Sequence, residues 1–501
     1  MPHSIIVIGA GIGGLTAGAL LARRGYDVTI YEQARVPGGC ASTFKRQGFS
    51  FDVGATQVAG LEPGGVHQRV FAELGINLPT ATPCDPACAV FLPHETEPIQ
   101  VWRDSKRWQL ERQRQFPGSE PFWQLMAELF RASWNFQGRE PVLPPRNIWD
   151  FWQLISALRL DTLITVPFAL MTVGDALRLY GLGNDQRLKS FLDLQLKLYS
   201  QVNADETALL YAATVLAVSQ APQGLYHLHG SMQVLSNCLV EALEKYGGKL
   251  KLGYSIENIH SQNNRVEQVT IRHQKTRETS IETADHFVAN VTIQNLIKLL
   301  DPPPSLFWGL YRNRVDKLPR SSGAFVVYLG VDRQAIPDGC PPHLQFLYEN
   351  NQPISENNSL FISVSEPGDG RAPKGKATII ASSFTDPQIW FHQAPEAYQA
   401  LKQKYTSDAI ARLSSYFHLT SDTLIYQEAA TPYTFARFTA RDKGIVGGIG
   451  QRVSTFGPFG IATRTPLKNL WLVGDSTHPG EGTAGVSYSA LTVVRQISIS
   501  Q

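Results

Sequence analysis

The first thirty-two residues constrain this chain more than any other stretch of it. Ser4 to Ile8 is a short, almost wholly apolar run of the kind that forms a buried parallel strand. Gly9-Ala10-Gly11-Ile12-Gly13-Gly14 follows at once, then the helix-forming run Leu15 to Ala22, with Gly25 placed to end the helix. Asp27 to Tyr31 reads as a second strand, closed by Glu32 with Gln33 beside it. Each part has a physical task in a dinucleotide-binding βαβ unit. Gly9 permits the tight turn, Gly11 lets the backbone approach a pyrophosphate, and Gly14 lets the helix pack on the strand. The helix N-terminus, with Ala10, Ile12 and Gly13, offers free N–H groups and a positive dipole end to phosphate. Glu32, eighteen residues after Gly14, can accept hydrogen bonds from ribose hydroxyls and disfavours a 2′-phosphate, so NADP is not expected here.

A chain of 501 residues has room for two substantial cores and two to four domains. Its 45 Lys plus Arg against 43 Asp plus Glu give no concentrated basic character, so no nucleic-acid partner is expected. Five cysteines suggest no disulfide framework, which fits a reducing cytoplasm. Cys84 and Cys88 form a C-x3-C without a second pair, and His227 and His229 alternate without a third ligand nearby. Both read as ordinary side chains, and no metal site is expected. The apolar run at Ile5 to Ile8 is too short for a signal peptide. Between Ile148 and Val173 the longest uncharged piece, Thr162 to Gly174, has thirteen residues, whereas a bilayer span needs about 20. A cytoplasmic chain with no transmembrane helix is the expectation.

Val36-Pro37-Gly38-Gly39-Cys40-Ala41 places a glycine pair just after Glu32, and Phe49 to Ala55 follows. This layout resembles the FAD-dependent amine oxidase and phytoene desaturase superfamily. The resemblance implies that Gly38, Gly39 and Cys40 pass close to a flavin and its pyrophosphate. Many members have Arg where this chain has Cys40, so one cationic contact is in question. Near the C-terminus, Asn469 to His478 reads as a strand ending in Gly474-Asp475, Pro479 to Val486 as a loop, and Ser487 onward as a helix. In the superfamily such an aspartate binds the ribityl and pyrophosphate region, and the residues leading into the helix, here Gly485 and Val486, face the flavin ring. No cysteine follows Cys340, so a thioether from this segment is excluded and the FAD would be non-covalent. Gly224 to Met232 resembles the turn before a long helix. Lys249 to Ile259 resembles the strand whose backbone meets the adenine, with Ile256 as the contact, and Ala284 to Asn290 is a further strand.

The expected fold class is therefore α/β: a Rossmann-like FAD-binding domain from discontinuous segments (1–75, 225–295 and 445–501) plus an α+β substrate domain (76–224 and 296–444). Residues 320–330, Leu344 to Tyr348, Leu360 to Val364 and Thr378 to Ser382 predict a mixed or antiparallel sheet in the latter. Asp161 to Leu179 and Asp185 to Leu198 read as helices.

The Pro-Gly-Gly turn, Ala372-Pro373-Lys374-Gly375, Thr431 to Phe438 and Pro479-Gly480-Glu481-Gly482 narrow the resemblance to carotenoid desaturases and isomerases. Gly54 to Leu61 and Pro83 to Cys88 look most like cyanobacterial carotenoid 3′,4′-desaturases. What this implies is hydride removal from a membrane-dissolved carotenoid to flavin, proton loss from the adjacent carbon, and electrons leaving to a quinone or oxygen. Such chemistry needs mainly a dry tunnel, and no catalytic acid or base is assigned. Glu481 reads as a solvated loop carboxylate. The aromatic-rich stretch 146–174, with Arg146 and Arg159, reads either as a membrane-facing helical region lying in the interface plane or as a core helix. Alternatives are a redox-neutral carotenoid cis-trans isomerase and a flavin-free prenyl or lipid-binding escort. Gly9, Gly11, Gly14, Glu32 and Asp475 argue against the escort. An amine oxidase is disfavoured because no aromatic cage is recognisable beside the C-terminal segment.

Overall fold

The computed structural model describes residues 3–301 and 306–499, so the outermost residues of the expected first and last segments, 1–2 and 500–501, lie outside the described chain. Strand β1 (Ser4–Ile8) leads through the glycine turn into helix α1 (Ile12–Arg23) and back to strand β2 (Asp27–Glu32). β1 pairs in parallel with β2 on one side and with His286–Ala289 on the other. Lys249–Leu252 extends the sheet beyond β2, and Leu470–Leu472 closes the opposite edge, giving five parallel strands. Every residue of α1 except Arg23 is buried, because the helix is covered by Gln233–Lys245 and by the closing helix Thr483–Ser498 as well as by the sheet. That explains its almost unbroken run of small and aliphatic residues. Three segments far apart in sequence thus share one core.

Two expectations in this sheet need correction. Lys249 to Ile259 is not one strand. Gly253, at φ +79°, ends Lys249–Leu252, and Tyr254–Gln262 starts a separate antiparallel sheet with Arg265–His273 and Thr279–Glu282. Ile256 therefore belongs to this second sheet. The closing helix begins at Thr483, not Ser487, which puts Gly485 and Val486 in its first turn.

The other large sheet has seven strands in the order Leu424–Ala430, Gly323–Asp332, Lys376–Thr385, Ser359–Val364, His343–Leu347, Cys88–Phe91, Ile99–Val101. It is antiparallel except where His343–Leu347 runs parallel to Cys88–Phe91, so the expected mixed sheet is present. The helix expected over Asp161 to Leu179 is broken into Leu160–Leu163, a 3-10 turn at Val166–Phe168, and Val173–Leu179. Pro167 cannot donate into a continuing helix, and Thr172 starts the last piece by accepting the Asp175 N–H at 3.1 Å while the Asp175 carboxylate accepts the Thr172 N–H at 2.9 Å.

The reading of 146–174 as a core helix fails. In Ile148–Ala157 only Asp150 and Ala157 are buried, while Ile148 is 91% and Leu160 is 87% exposed. Phe151, Trp152, Leu163, Val166 and Leu170 are exposed as well. Asp150 anchors the helix by accepting from Arg464 Nε at 3.0 Å and from Gln496 Nε2 at 3.1 Å. No helix among the described residues is long and apolar enough to cross a membrane.

A buried charge cluster ties the loop before Lys376–Thr385 to the short strands Phe49–Asp52 and Tyr226–Leu228. Arg371 donates to Asp52 Oδ2 at 3.1 Å, to the Leu228 carbonyl at 2.6 Å and to Asp369 Oδ2 at 3.3 Å, and lies 2.8 Å from His227 Nε2. His227 also meets Asp369 Oδ2 at 2.9 Å, so it is a structural partner in this cluster.

Candidate cofactor and substrate cavity

The turn between β1 and α1 is built for close approach. Gly9 has φ +94°, and a Cβ there would meet the Asn290 carbonyl oxygen at 2.8 Å. A Cβ on Gly14 would collide with the Gly9 carbonyl oxygen. Glu32 fixes the turn from the end of β2: one carboxylate oxygen accepts the Ala10 N–H and the other the Ala34 N–H, each at 2.8 Å. Burial raises its pKa against the pull of those backbone donors. Gly38 donates its N–H to the Ala10 carbonyl at 2.7 Å, laying the glycine pair along the same turn.

The C-terminal segment meets this turn directly. A Cβ on Gly13 would lie 3.3 Å from the Val486 carbonyl oxygen and 3.5 Å from the Gly474 Cα. Gly474, at φ +113°, donates to Ser489 Oγ at 2.9 Å. Asp475 accepts from Arg441 at 2.7 Å, and Arg441 also donates from Nε to the Ile445 carbonyl at 2.6 Å. The Arg441 charge acts on Cys40 too, where burial raises the thiol pKa and this cation lowers it. Arg441 thus sets a cation near position 40, held by Asp475 and by the Ile445 and Gly447 carbonyls. Neither Arg441 nor Asn290 was singled out in the sequence. Asn290 follows directly on a parallel strand, at the carboxyl end where such sheets bind ligands, and that position was the available signal.

These residues line one end of a cavity of about 1160 Å³. Gly9, Gly11, Ile12, Gly13, Glu32, Gln33, Gly38, Gly39, Cys40, Ile256, Gly474, Asp475, Gly485 and Val486 all face it, while Ala10 and Gly14 lie behind its wall. The cavity continues between apolar side chains, among them Leu194, Leu198, Val215, Val218, Leu225, Leu360 and Phe361. Trp134, Gln137 and Gly138 line another part of its wall, and the next residue, Arg139, pairs with Asp161 of the exposed apolar segment at 2.8 Å.

Glu481 is not the solvated carboxylate expected from its loop. Its Oε2 accepts from Gln201 Nε2 at 2.8 Å, while Oε1 is buried with no hydrogen-bond partner among the described residues. Burial pushes its pKa up to about 8. The loop folds inward against Gly447, where any Cβ would collide with the Glu481 carboxylate.

A glycine-tight turn at a helix N-terminus, a buried acid after the second parallel strand and an apolar extension fit a long dinucleotide beside a lipophilic ligand. They define a Rossmann-type oxidoreductase. The profile of an NAD(P)-binding Rossmann-like domain matches residues 7–74. Prolycopene isomerase 2 of an Oncidium hybrid cultivar is 25% identical, over 99% of this chain and 84% of its own length. The zeta-carotene-forming phytoene desaturase of Myxococcus xanthus is 25% identical, over 98% of this chain and 93% of its own. Among solved structures, putrescine oxidase superposes with a TM-score of 0.62 at 13% identity, covering all of both chains, a likeness of fold. Over nearly its whole length the chain is similar to carotenoid isomerases and desaturases, and it shares its fold with putrescine oxidase.

Proposed function

We propose that this protein is an FAD-dependent carotenoid desaturase, acting at the 3′,4′ position of its substrate. The observation that carries the reading is the single cavity that joins the nucleotide turn to an apolar tunnel. The first N–H groups of α1 hold the diphosphate, Glu32 the adenosine ribose, Ile256 the adenine, and Asp475 the ribityl chain. Gly38, Gly39 and Cys40 pass beside the flavin, and the first turn of Thr483–Ser498 presents its positive end to the ring. Bound flavin supplies hydride acceptance; the aliphatic and aromatic walls exclude water and align the polyene. Electrons leave to a quinone or oxygen. In this reading residues 1–75, 225–295 and 445–501 form the FAD domain, and 76–224 with 296–444 the substrate domain.

Incubating the FAD-loaded protein with lycopene-type carotenes and weighing the product tests the reading. A loss of two hydrogens is the expected result. Unchanged mass with altered double-bond geometry would favour the redox-neutral isomerase, the activity named for several relatives. A purified protein that neither contains nor takes up flavin would favour a lipid escort instead.

The substrate of such an enzyme dissolves in bilayers, so the exposed apolar stretch 148–170 serves as a peripheral membrane contact on the cytoplasmic side, beside the wall at Trp134. Trp152→Gln combined with Leu160→Gln removes two exposed side chains from this face. Thermal stability should stay within about 2 °C of the parent, since surface changes are worth roughly 0.5 kcal/mol. Co-sedimentation with anionic liposomes should fall at least about tenfold. Undiminished sedimentation would remove the membrane contact from this face.

A further inference from the structure

The desaturase reading leaves two acids of the cavity wall without a task; Glu428 is paired with Arg46 and Tyr426, whereas Glu481 keeps one buried oxygen without a partner among the described residues. We infer that Glu481 is the base that takes the proton when the polyene is desaturated, an assignment that rests on that reading. Glu481 stands at the junction of the two halves of the cavity. On the cofactor side it neighbours Asp475, which follows the edge strand Leu470–Leu472, and Arg441, which pairs with Asp475. On the substrate side it meets Gln201 and Tyr211 on the helical wall. Desaturation breaks two C–H bonds on adjacent carbons. One carbon yields hydride to oxidised flavin; the other yields its proton to the Glu481 carboxylate, and the electron pair left behind becomes the new double bond. The proton then passes to solvent, and a quinone or oxygen reoxidises the flavin.

The surroundings hold this carboxyl where a base for a carbon acid is effective. Burial raises its pKa most and Asp475 adds to the rise; the Gln201 hydrogen bond, the Arg441 charge and the Gly448 backbone N–H oppose it. Lys197 and Tyr211 also face it; Lys197 is fixed by the Gln201 carbonyl at 2.9 Å and by Ser322 Oγ at 3.3 Å. A group titrating at about 8 is mostly protonated at neutral pH and gains charge as pH rises. Its carboxylate fraction grows about tenfold between pH 7 and 9, and proton abstraction grows with it.

The test compares the wild type with Glu481→Gln, both loaded with FAD, mixed anaerobically with a lycopene-type carotene in detergent micelles. Flavin affinity, read by fluorescence quenching, should be the same in both. Substrate-driven bleaching of the flavin should be at least about 100-fold slower in the variant. In the wild type bleaching should accelerate as pH rises through 8. Without cofactor, infrared spectra of the wild type at pH 7 should show a protonated carboxyl band that titrates away with alkali and is missing from Glu481→Gln. Gln201→Leu, which removes a donor from Oε2, should move the bleaching profile to higher pH and keeps the test open should Glu481→Gln fail to bind flavin. Equal bleaching rates in the two forms, or a profile flat between pH 7 and 9, would overturn the assignment of Glu481 alone. A wild type that no polyene bleaches would overturn the desaturase reading as well.

Discussion

Gly14→Ala is expected to yield a protein that purifies without flavin and regains at most about one hundredth of the wild-type affinity when FAD is added back. The added methyl group has no space, because it would strike the Gly9 carbonyl oxygen, which is backbone and cannot rotate aside. α1 must then lift away from β1, and it cannot tilt freely, being buried on nearly every face. Overpacking of this kind costs about 1–3 kcal/mol in a close-packed interior. The larger effect falls on the ligand, since a shift of about 1 Å takes the helix N–H groups out of hydrogen-bonding range of phosphate. Absorbance of the desalted protein and fluorescence titration with FAD measure it. Gly309→Ala is the control, because it sits in the helix Leu306–Asp316 with nothing within 4 Å of the added carbon. It should bind flavin like the wild type. A fully yellow Gly14→Ala protein would mean that the turn does not hold the diphosphate.

Arg371→Met should lower the unfolding free energy by about 3–5 kcal/mol, the cost of leaving buried carboxylates without their cation. The side chain is nearly inaccessible, as are its partners Asp52, Asp369 and His227, so water cannot replace it. The effect depends on pH, and its sign follows from Asp369. Burial alone would raise that carboxyl, but the hydrogen bonds from His227 and from the Arg371 N–H, with the Arg371 charge, bring the net pKa below the ordinary value. A depressed folded-state pKa contributes stability above the unfolded value, about 3.9, and that stability is lost as pH falls through the folded pKa. In Arg371→Met the charge that helps to depress Asp369 is gone, the Asp369 pKa rises relative to the wild type, and its protonation costs the fold less. The deficit should therefore be largest near neutrality and shrink toward pH 4 in urea titrations followed by circular dichroism. A deficit that grows with acidification would mean that the cluster does not act through its charges.

Local geometry made the first half of the site readable in the sequence. Gly9, Gly11 and Gly14 stand at spacings that only a tight strand-to-helix turn uses, and Glu32 closes the unit; these positions depend on residues within a few turns of chain. Gly474-Asp475 was readable as a strand end, while the role expected of Asp475 came from the resemblance to the flavoprotein superfamily. Arg441 was not readable, because its importance comes from a fold that brings it to Asp475 across 34 residues, and no local pattern marks that meeting. Glu481 was misjudged because a carboxylate between glycines resembles a solvated turn, and only tertiary packing against Gly447 and Gln201 buries it. Pro167 and Gly253 are a different case. Both breaks carried their ordinary signals, a proline within a helical run and a glycine within a strand, and the longer elements were nevertheless expected to pass through them.

The edge strand Leu470–Leu472 pairs with a strand some 180 residues earlier and completes the parallel sheet only then. During synthesis the turn at Gly9 lacks both Asp475 and the closing helix over α1 until those much later segments have left the ribosome. The α1 face covered by Thr483–Ser498 is therefore an exposed apolar surface for chaperones until that helix has been made.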